Sequence, residues 1–259
     1  MHADPEIVAR LRAAGCVFAE DEARLLADAA GTAEELDDMV QRRVKGLPLE
    51  QVVGWAEFRG LRVLVDPGVF VPRRRSEFLV ETAIGLETSE RPVIVDVCCG
   101  TGALGIAVAA GFQEAELHAA EIDPAAVACA RRNVGPAGGQ VYEGDLFDPL
   151  PSALKGRVTT LLCNAPYVPA AEIAFLPAEA REYEHRVALD GGDDGLAVLR
   201  RAAGEAADWL VPGTGHLLME TSDRQAADLA DVIVQAGLTA RVFPYDEYGS
   251  AVVTGRIKP

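Results

Sequence analysis

The sequence has no uninterrupted apolar run of membrane-spanning length, and its first six residues have no basic-then-apolar leader pattern. We therefore expect a cytoplasmic protein that makes no membrane contact. Its apolar fraction of 49% and charged fraction of 25% are those of an ordinary globular chain. A length of 259 residues favours one catalytic domain with a smaller appended domain.

Basic residues are scarce, with 24 Lys and Arg against 40 Asp and Glu and a net charge of −16. Proteins that act on nucleic acids normally have a basic face, because phosphate contacts dominate their affinity. The main basic run here is Arg73 to Arg75, and such runs are most often solvated surface. The charge therefore argues against a nucleic-acid partner and leaves proteins, peptides and small molecules as substrates.

Metal-binding and disulfide patterns are also missing. The cysteine spacings match no zinc site, and an odd number of cysteines argues against a disulfide framework. We expect reduced, buried cysteines and no metal. The five positions are Cys16, Cys98, Cys99, Cys129 and Cys163.

The first part of the chain, residues 1–54, has the pattern of short helices. Asp4 before Pro5 is typical of a helix start, and Thr32 with Glu35 three residues later predicts a capping box. We expect a small helical domain here, separate from the rest of the chain.

From residue 55 the pattern changes. Residues 55–75 alternate with period two around Arg59-Gly60, which predicts a β-hairpin linker. Residues 76–259 alternate between helical and strand patterns, which predicts an open, mostly parallel sheet with helices on both faces. Ligands of such α/β folds bind beyond the carboxyl ends of the strands.

The most specific local motif is Asn164-Ala165-Pro166-Tyr167, which follows the apolar run Val158–Cys163, a predicted strand. The Asn164 Oδ1 and the next backbone carbonyl can accept the two protons of a planar NH2 group. The Tyr167 ring can pack on the plane of that group. The tetrapeptide predicts a catalytic clamp, called the clamp below, for an amide or aromatic amino nitrogen.

A glycine loop follows the first predicted strand of the sheet and opens a helix. Its small residues allow a ligand to approach the backbone, and the helix start offers free N–H groups. The Gly-Lys-Ser/Thr of a phosphate-binding P-loop is absent. The loop residues that we predict to bind a cofactor are Asp96, Cys98, Cys99, Gly100, Thr101 and Gly102.

Two carboxylates end the next strands. Glu121 is placed to accept both hydroxyls of a ribose, and Asp145 to meet an adenine amino group, with Leu146 or Phe147 packing on the base. Taken singly, either carboxylate could equally be a helix cap or a surface residue. With the glycine loop and the clamp they predict a site for S-adenosylmethionine, released as S-adenosylhomocysteine, to which Ile122 and Asn164 also contribute.

These motifs together resemble the HemK/PrmC protein-(glutamine-N5) methyltransferases over most of the chain. The resemblance implies a Rossmann-like class I methyltransferase fold with a seven-stranded sheet, plus a small helical N-terminal domain for substrate recognition. It implies N-methylation of a glutamine amide, as in the Gly-Gly-Gln motif of release factors or in another ribosomal substrate. The segments that carry it are Pro48 to Phe58, Val71 to Glu77, the Asp96 loop, Glu121-Ile122-Asp123, Asn164 to Pro169, and Arg181 to Leu196. The substrate-binding residues that it implies are Arg73, Glu77, Asn164, Pro166 and Tyr167.

The chain departs from the family pattern at several positions. Ala165 replaces the first proline of the family's Asn-Pro-Pro-Tyr, Cys98 replaces a loop glycine, and Arg74-Arg75 replaces Pro-Asp. His185 replaces a proline in the later signature. A peptide or small-molecule amine therefore stays open as the acceptor, a nucleic-acid base is disfavoured by the charge, and a non-catalytic binding protein is disfavoured by the intact clamp.

Overall fold

The structure is a computed structural model that describes residues 4–258. Met1 to Ala3 and Pro259, which complete the predicted first and last domains, lie outside the described residues. Four helices come first, and their bounds are α1 Pro5–Ala13, α2 Ala19–Ala29, α3 Ala33–Val44 and α4 Leu49–Val53. The predicted caps are confirmed, because Asp4 accepts from the Glu6 N–H and Thr32 from the Glu35 N–H. The four helices share an apolar cluster centred on Leu11 and Leu26.

The predicted hairpin follows the helices. Strands β1 (Trp55–Phe58) and β2 (Leu61–Leu64) pair antiparallel around the two-residue turn Arg59-Gly60. Both turn residues have positive φ, as a tight hairpin turn requires. The side chain of Asn133 accepts from the Leu64 N–H, which fixes the hairpin to the domain that follows.

The third part of the chain forms a seven-stranded sheet with the order β5-β4-β3-β6-β7-β9-β8. Its strands are β3 Val93–Val97, β4 Glu116–Glu121, β5 Gln140–Glu143, β6 Thr160–Cys163, β7 His216–Ser222, β8 Leu238–Tyr245 and β9 Ser250–Ile257. Its helices are α5 Glu77–Leu86, α6 Ala103–Ala109, α7 Pro124–Val134, α8 Ala178–Tyr183, α9 Ala197–Ala206 and α10 Ala226–Gln235. The pairs among β3 to β7 are parallel, and β9 is antiparallel to both of its neighbours.

The central strand β3 is buried on both faces. Val93, Val95 and Val97 pack into one apolar layer and Ile94 into the other, which accounts for the apolar pattern of this strand, interrupted only by Asp96. The chain order reverses at β3, whose neighbours are β4 on one side and β6 on the other. Sheets of this kind bind ligands beside such a reversal, beyond the carboxyl ends of the strands.

One strand boundary differs from the sequence prediction. We expected a strand over Val158–Cys163, but β6 begins at Thr160. Val158 instead forms an isolated bridge with Leu210 and exchanges backbone hydrogen bonds with the segment before β7. The backbone groups of Val158 are therefore paired with residues near Leu210, which are distant in sequence. The local apolar pattern gives no sign of such a partner.

Candidate active site

A cavity of about 760 Å³ opens at the carboxyl ends of β3, β4, β5 and β6. The loops after these strands line one side. The segment 168–190, called the strap below, lines the other side with part of its residues. Ligand cavities commonly measure roughly 300–1,000 Å³. The space is thus sufficient for a nucleoside-sized ligand with the end of a second ligand beside it.

The glycine loop lies against this cavity through four of its predicted residues, which are Cys98, Cys99, Gly100 and Thr101. Gly102 lies behind them with φ of +78°, and a Cβ added there would be 2.5 Å from Val134 Cγ2. Its role in the structure is close packing of α6 against α7. Cys98 has φ of +58°, a left-handed conformation that costs a side chain about 1–2 kcal/mol.

Asp96 lies beneath the loop and is fully buried. Its Oδ2 accepts from the Gly105 N–H at 2.9 Å, whereas its Oδ1 has no hydrogen-bond partner among the described residues. Burial raises the pKa of this carboxyl to about 7, the Gly105 N–H opposes the rise, and the neighbouring Glu121 adds to it. Asp96 supports the loop from below and is not part of the cavity lining.

The Asp96 pKa predicts a pH dependence of stability. The pKa of this carboxyl is 3.8 in the unfolded chain and about 7 in the folded protein. The folded protein therefore binds more protons than the unfolded chain between these two pH values. Stability should therefore fall as the pH rises through this window and level off above it. We expect Asp96→Asn, which keeps an oxygen acceptor for Gly105, to flatten this decline. Melting temperatures measured from about pH 5 to about pH 8 check this, and parallel curves for the two proteins would contradict it.

Glu121 joins the end of β4 to the glycine loop. Its Oε2 accepts from the Gly100 N–H at 2.8 Å, and its Oε1 accepts from the N–H groups of Ile122 at 2.8 Å and Asp123 at 2.9 Å. Burial raises the pKa of the carboxyl, and the three backbone donors oppose the rise. Two backbone donors occupy Oε1, but Oε2 has only one, so Oε2 can still accept from a ligand hydroxyl in the cavity.

Asp145 and Leu146 line the cavity after β5, and Ile122 lines it after β4. Asp145 Oδ2 accepts from Arg201 Nη2 at 2.7 Å. Arg201 on α9 also lines the cavity, and the sequence pattern gave no reason to single it out. Leu146 has φ of +46° and is almost fully buried, so its side chain forms a fixed apolar wall.

The four clamp residues line the cavity directly after β6. Asn164 Nδ2 donates to the Ser76 Oγ at 3.3 Å. Because the amide nitrogen is held in this way, Asn164 Oδ1 is the atom left to accept from a ligand. The Ala165 side chain is buried in the core, which leaves its backbone carbonyl as the polar group at that position. Ser76, which the sequence analysis did not single out, therefore sets the orientation of Asn164.

Tyr167 is held by a buried ion pair. Its hydroxyl donates to Glu220 Oε1 at 3.2 Å, and Arg75 Nε donates to the same oxygen at 3.2 Å. Burial, followed by the charge of Glu220, raises the pKa of Tyr167 above its usual range, so the hydroxyl stays protonated. Neither Glu220 nor the role of Arg75 was predicted, because β7 lies far from both partners in sequence.

Glu184 and His185, in the later signature segment, bind the chain before α5 and the loop after β4. The Glu184 side chain is buried, and its Oε1 accepts from the Val71 N–H at 3.0 Å and from Arg73 Nη2 at 2.6 Å. Arg73 lines the cavity, but its Nη2 is occupied by the ion pair with Glu184. His185 Nδ1 lies 2.5 Å from Asp123 Oδ2, which connects the strap to the loop after β4.

Gly195 marks the point where the signature segment touches the clamp. A Cβ added there would be 2.4 Å from the Tyr167 carbonyl oxygen and 2.3 Å from Gln225 Nε2, at φ of +76°. Gln225 Nε2 donates to that same Tyr167 carbonyl at 3.0 Å. A glycine is therefore required for the backbone of Tyr167 to be held between the two segments.

We expect Gly195→Ala to displace Tyr167 and to destabilise the protein by about 3 kcal/mol, through backbone strain and steric overlap. Gly204→Ala is the matched control, because it lies within helix α9 and nothing is within 4 Å of the added Cβ. The control should be neutral or stabilising by up to about 1 kcal/mol. Denaturant unfolding of both variants checks the prediction, and equal free energies of unfolding would contradict it.

The N-terminal helices contact the strap. Arg43 Nε donates to Glu22 Oε2 at 2.6 Å within the helical unit, and Arg43 Nη1 donates to Glu179 Oε1 at 2.5 Å on α8. The Tyr183 hydroxyl donates to the Lys45 carbonyl at 2.7 Å. The helices therefore support one wall of the cavity. The predicted domain boundaries and the role of the helices in substrate recognition stay predictions.

Glu77, like Asp96 and Gly102, is a predicted site residue that does not line the cavity. Glu77 begins α5, and its part in substrate binding stays a prediction. Within residues 4–258 no cluster of three or more potential metal ligands occurs. In that same part of the chain, no helix is both long and apolar enough to cross a bilayer.

A mixed seven-stranded sheet of this order, with its cavity at the strand ends, defines a class I methyltransferase. A solved methyltransferase from Pyrococcus furiosus has the same fold, with a TM-score of 0.56, 16% identity, and coverage of 76% of this chain and 89% of that one. The family model described as "Methyltransferase small domain" matches residues 60–179.

Relatives in sequence define the family. The release factor glutamine methyltransferase of Geobacter sulfurreducens is 36% identical, over 85% of this chain and 76% of the relative. The enzyme of that name from Mycolicibacterium smegmatis is 38% identical, over 78% and 71%. A 4-amino-L-phenylalanine/4-methylamino-L-phenylalanine methyltransferase of Streptomyces pristinaespiralis is 36% identical, over 73% and 66%. The chain belongs to the release factor glutamine methyltransferase family, and it is a methyltransferase.

Proposed function

We propose that the protein transfers a methyl group from S-adenosylmethionine to the side-chain amide nitrogen of a glutamine in a protein substrate of the release-factor type. The observation that carries this proposal is the hydrogen bond from Asn164 Nδ2 to Ser76. It leaves Asn164 Oδ1 and the Ala165 carbonyl as two acceptors in one cavity with Glu121. Two acceptors suit the two N–H bonds of a primary amide.

The donor half of the cavity fits S-adenosylmethionine by its polar groups. We assign a ribose hydroxyl to Glu121, the adenine amino group to Asp145, and the faces of the base to Ile122 and Leu146. The glycine loop, from Cys98 to Thr101, takes the amino-acid end. When bound, S-adenosylmethionine supplies a methyl group on a positively charged sulfur. Carboxylates near that charge also favour its binding.

The acceptor half works by positioning. An amide nitrogen is a poor nucleophile because its lone pair is delocalised, so its orientation has to be fixed. Asn164 and the Ala165 carbonyl hold the two N–H bonds, Pro166 sets the turn, and Tyr167 packs on the amide plane. Strap residues such as Leu176 and Pro177 exclude water from the cavity. Alignment and water exclusion supply the rate enhancement, with little need for acid–base groups.

Methylation of a synthetic peptide tests the acceptor directly. We expect the purified protein, with S-adenosylmethionine, to add one methyl group to a peptide that contains Gly-Gly-Gln, as detected by mass spectrometry. The same peptide with glutamate in place of glutamine should stay unmodified, since a carboxylate has no N–H to offer the clamp. Methylation of neither peptide, together with methylation of a small amine, would contradict the proposal.

A small-molecule amine is the second candidate acceptor. One relative of equal identity is named for 4-amino-L-phenylalanine, which carries a planar amino group on an aromatic ring. The clamp accepts N–H bonds from such a group as well as from an amide. The net charge of −16 still argues against a nucleic-acid base. A role in translation would place the protein in the cytoplasm, and that location stays a prediction.

A further inference from the structure

Arg75 lies in the acceptor half of the cavity, in the short helical turn Arg74–Ser76 before α5. It directly precedes Ser76, the residue that orients Asn164. Its guanidinium carbon is 6.0 Å from the centre of the Tyr167 ring. The Arg75 side chain therefore lies close to both the Asn164 end and the Tyr167 end of the clamp.

One edge of this guanidinium is fixed and the other is free. Arg75 Nε donates to Glu220 Oε1, whose side chain is only 3% exposed. Within residues 4–258, Nη1 and Nη2 of Arg75 pair with no carboxylate, although the guanidinium also interacts with the Tyr167 hydroxyl. The other cavity arginines differ, because each one donates from Nη2 to a carboxylate. These pairs are Arg73 with Glu184, Arg186 with Asp190, and Arg201 with Asp145.

An amide acceptor needs a donor for its carbonyl oxygen, and the clamp has few. Asn164 Oδ1 and the Ala165 carbonyl receive the two N–H bonds, but the carbonyl oxygen of the acceptor amide then requires its own N–H or O–H. Asn164 Nδ2 gives one of its two N–H bonds to Ser76, and the Tyr167 hydroxyl donates to Glu220, so the second Asn164 N–H is the one side-chain donor that the clamp retains. A carbonyl oxygen left unpaired in this closed cavity would weaken binding substantially.

We propose that Arg75 binds the carbonyl oxygen of the acceptor amide through its free Nη1–Nη2 edge, and so makes the site selective for amides. This proposal rests on the proposed function of the site. A carboxylate would satisfy Arg75 but face two acceptors at the clamp. An aromatic amine would satisfy the clamp but leave Arg75 without an oxygen. A primary amide satisfies Asn164 Oδ1, the Ala165 carbonyl and Arg75 together.

A structural role is the alternative, since Arg75 also neutralises the buried Glu220. Two replacements separate the roles. Arg75→Lys keeps a positive charge near Glu220 but lacks the two-nitrogen edge. The double replacement Arg75→Met with Glu220→Gln removes both charges, so no buried carboxylate is left unpaired. Arg74→Met is the matched control, because Arg74 is exposed and does not line the cavity.

The test is steady-state kinetics with two acceptors, the Gly-Gly-Gln peptide and 4-methylaniline, whose planar amino group has no neighbouring oxygen. We expect Arg75→Lys and the double variant to raise the KM for the peptide by about tenfold or more, as for loss of a hydrogen bond to a charged group. Any turnover of 4-methylaniline should change less than about threefold, and Arg74→Met should match the wild type for both acceptors.

An unchanged KM for the peptide in both Arg75 variants overturns the inference and leaves the proposed function intact. Equal losses for the peptide and the aniline, with a lowered melting temperature, would also overturn it, because they indicate general damage to Tyr167. A wild-type protein that methylates neither acceptor contradicts the proposed function itself, and with it this inference.

Discussion

Replacing Asn164 with alanine is expected to reduce turnover by about 10³-fold, because the variant loses the acceptor that orients the amide nitrogen toward the methyl group. Donor affinity should change little, since the donor half of the cavity keeps Glu121 and the glycine loop. Single-turnover kinetics with saturating donor measures the first effect, and calorimetric titration with S-adenosylhomocysteine measures the second.

A graded companion variant sharpens this test. Ser76→Ala keeps Asn164 but removes the hydroxyl that accepts from its Nδ2 at 3.3 Å. Its turnover should fall by about tenfold, because Asn164 can then rotate its amide. If Asn164→Ala turns over like the wild type, the clamp does not act in catalysis. If Asn164→Ala loses only affinity for S-adenosylhomocysteine, Asn164 binds the methyl donor and not the acceptor amide.

Replacing Glu121 with alanine is expected to weaken donor binding by about 100-fold, through loss of the hydrogen bond from a ribose hydroxyl to a buried charged group. It also leaves three backbone N–H groups, of Gly100, Ile122 and Asp123, without their acceptor. We therefore expect a lower melting temperature in addition to weaker binding. Titration with S-adenosylhomocysteine and a thermal melt measure the two effects separately.

Asp145→Asn is the control for this prediction. Asp145 is partly exposed and paired with Arg201, and asparagine keeps an oxygen there. Its donor affinity should fall by less than about tenfold and its melting temperature should change little. Glu121→Ala with wild-type donor affinity would show that Glu121 only supports the loop, which is the role its backbone hydrogen bonds already define.

Local sequence pattern was sufficient for the parts of the fold that local chemistry controls. Arg59-Gly60 predicted the hairpin because a two-residue turn requires positive φ, and Asp4 and Thr32 predicted the helix starts. The first predicted strand of the sheet, which precedes the glycine loop, is β3 in the structure. Knowing where strands end was enough to bring Glu121 and Asn164 to one cavity, because parallel strands end at the same edge.

The supports of the site could not be predicted, because they join distant parts of the chain. Ser76 is 88 residues from Asn164, and Glu220 is 145 residues from Arg75. No periodicity links such positions. Gly195 gave no local sign of its contact with Tyr167, since only the folded packing creates the close approach.

The clamp is proposed to hold a glutamine amide while it receives the methyl group. The most direct measurement is incubation of the protein with methyl-labelled S-adenosylmethionine and a lysate from cells that lack it, followed by complete digestion of the labelled proteins. We predict a labelled protein band that releases N5-methylglutamine. Label confined to small molecules or RNA would contradict the claim.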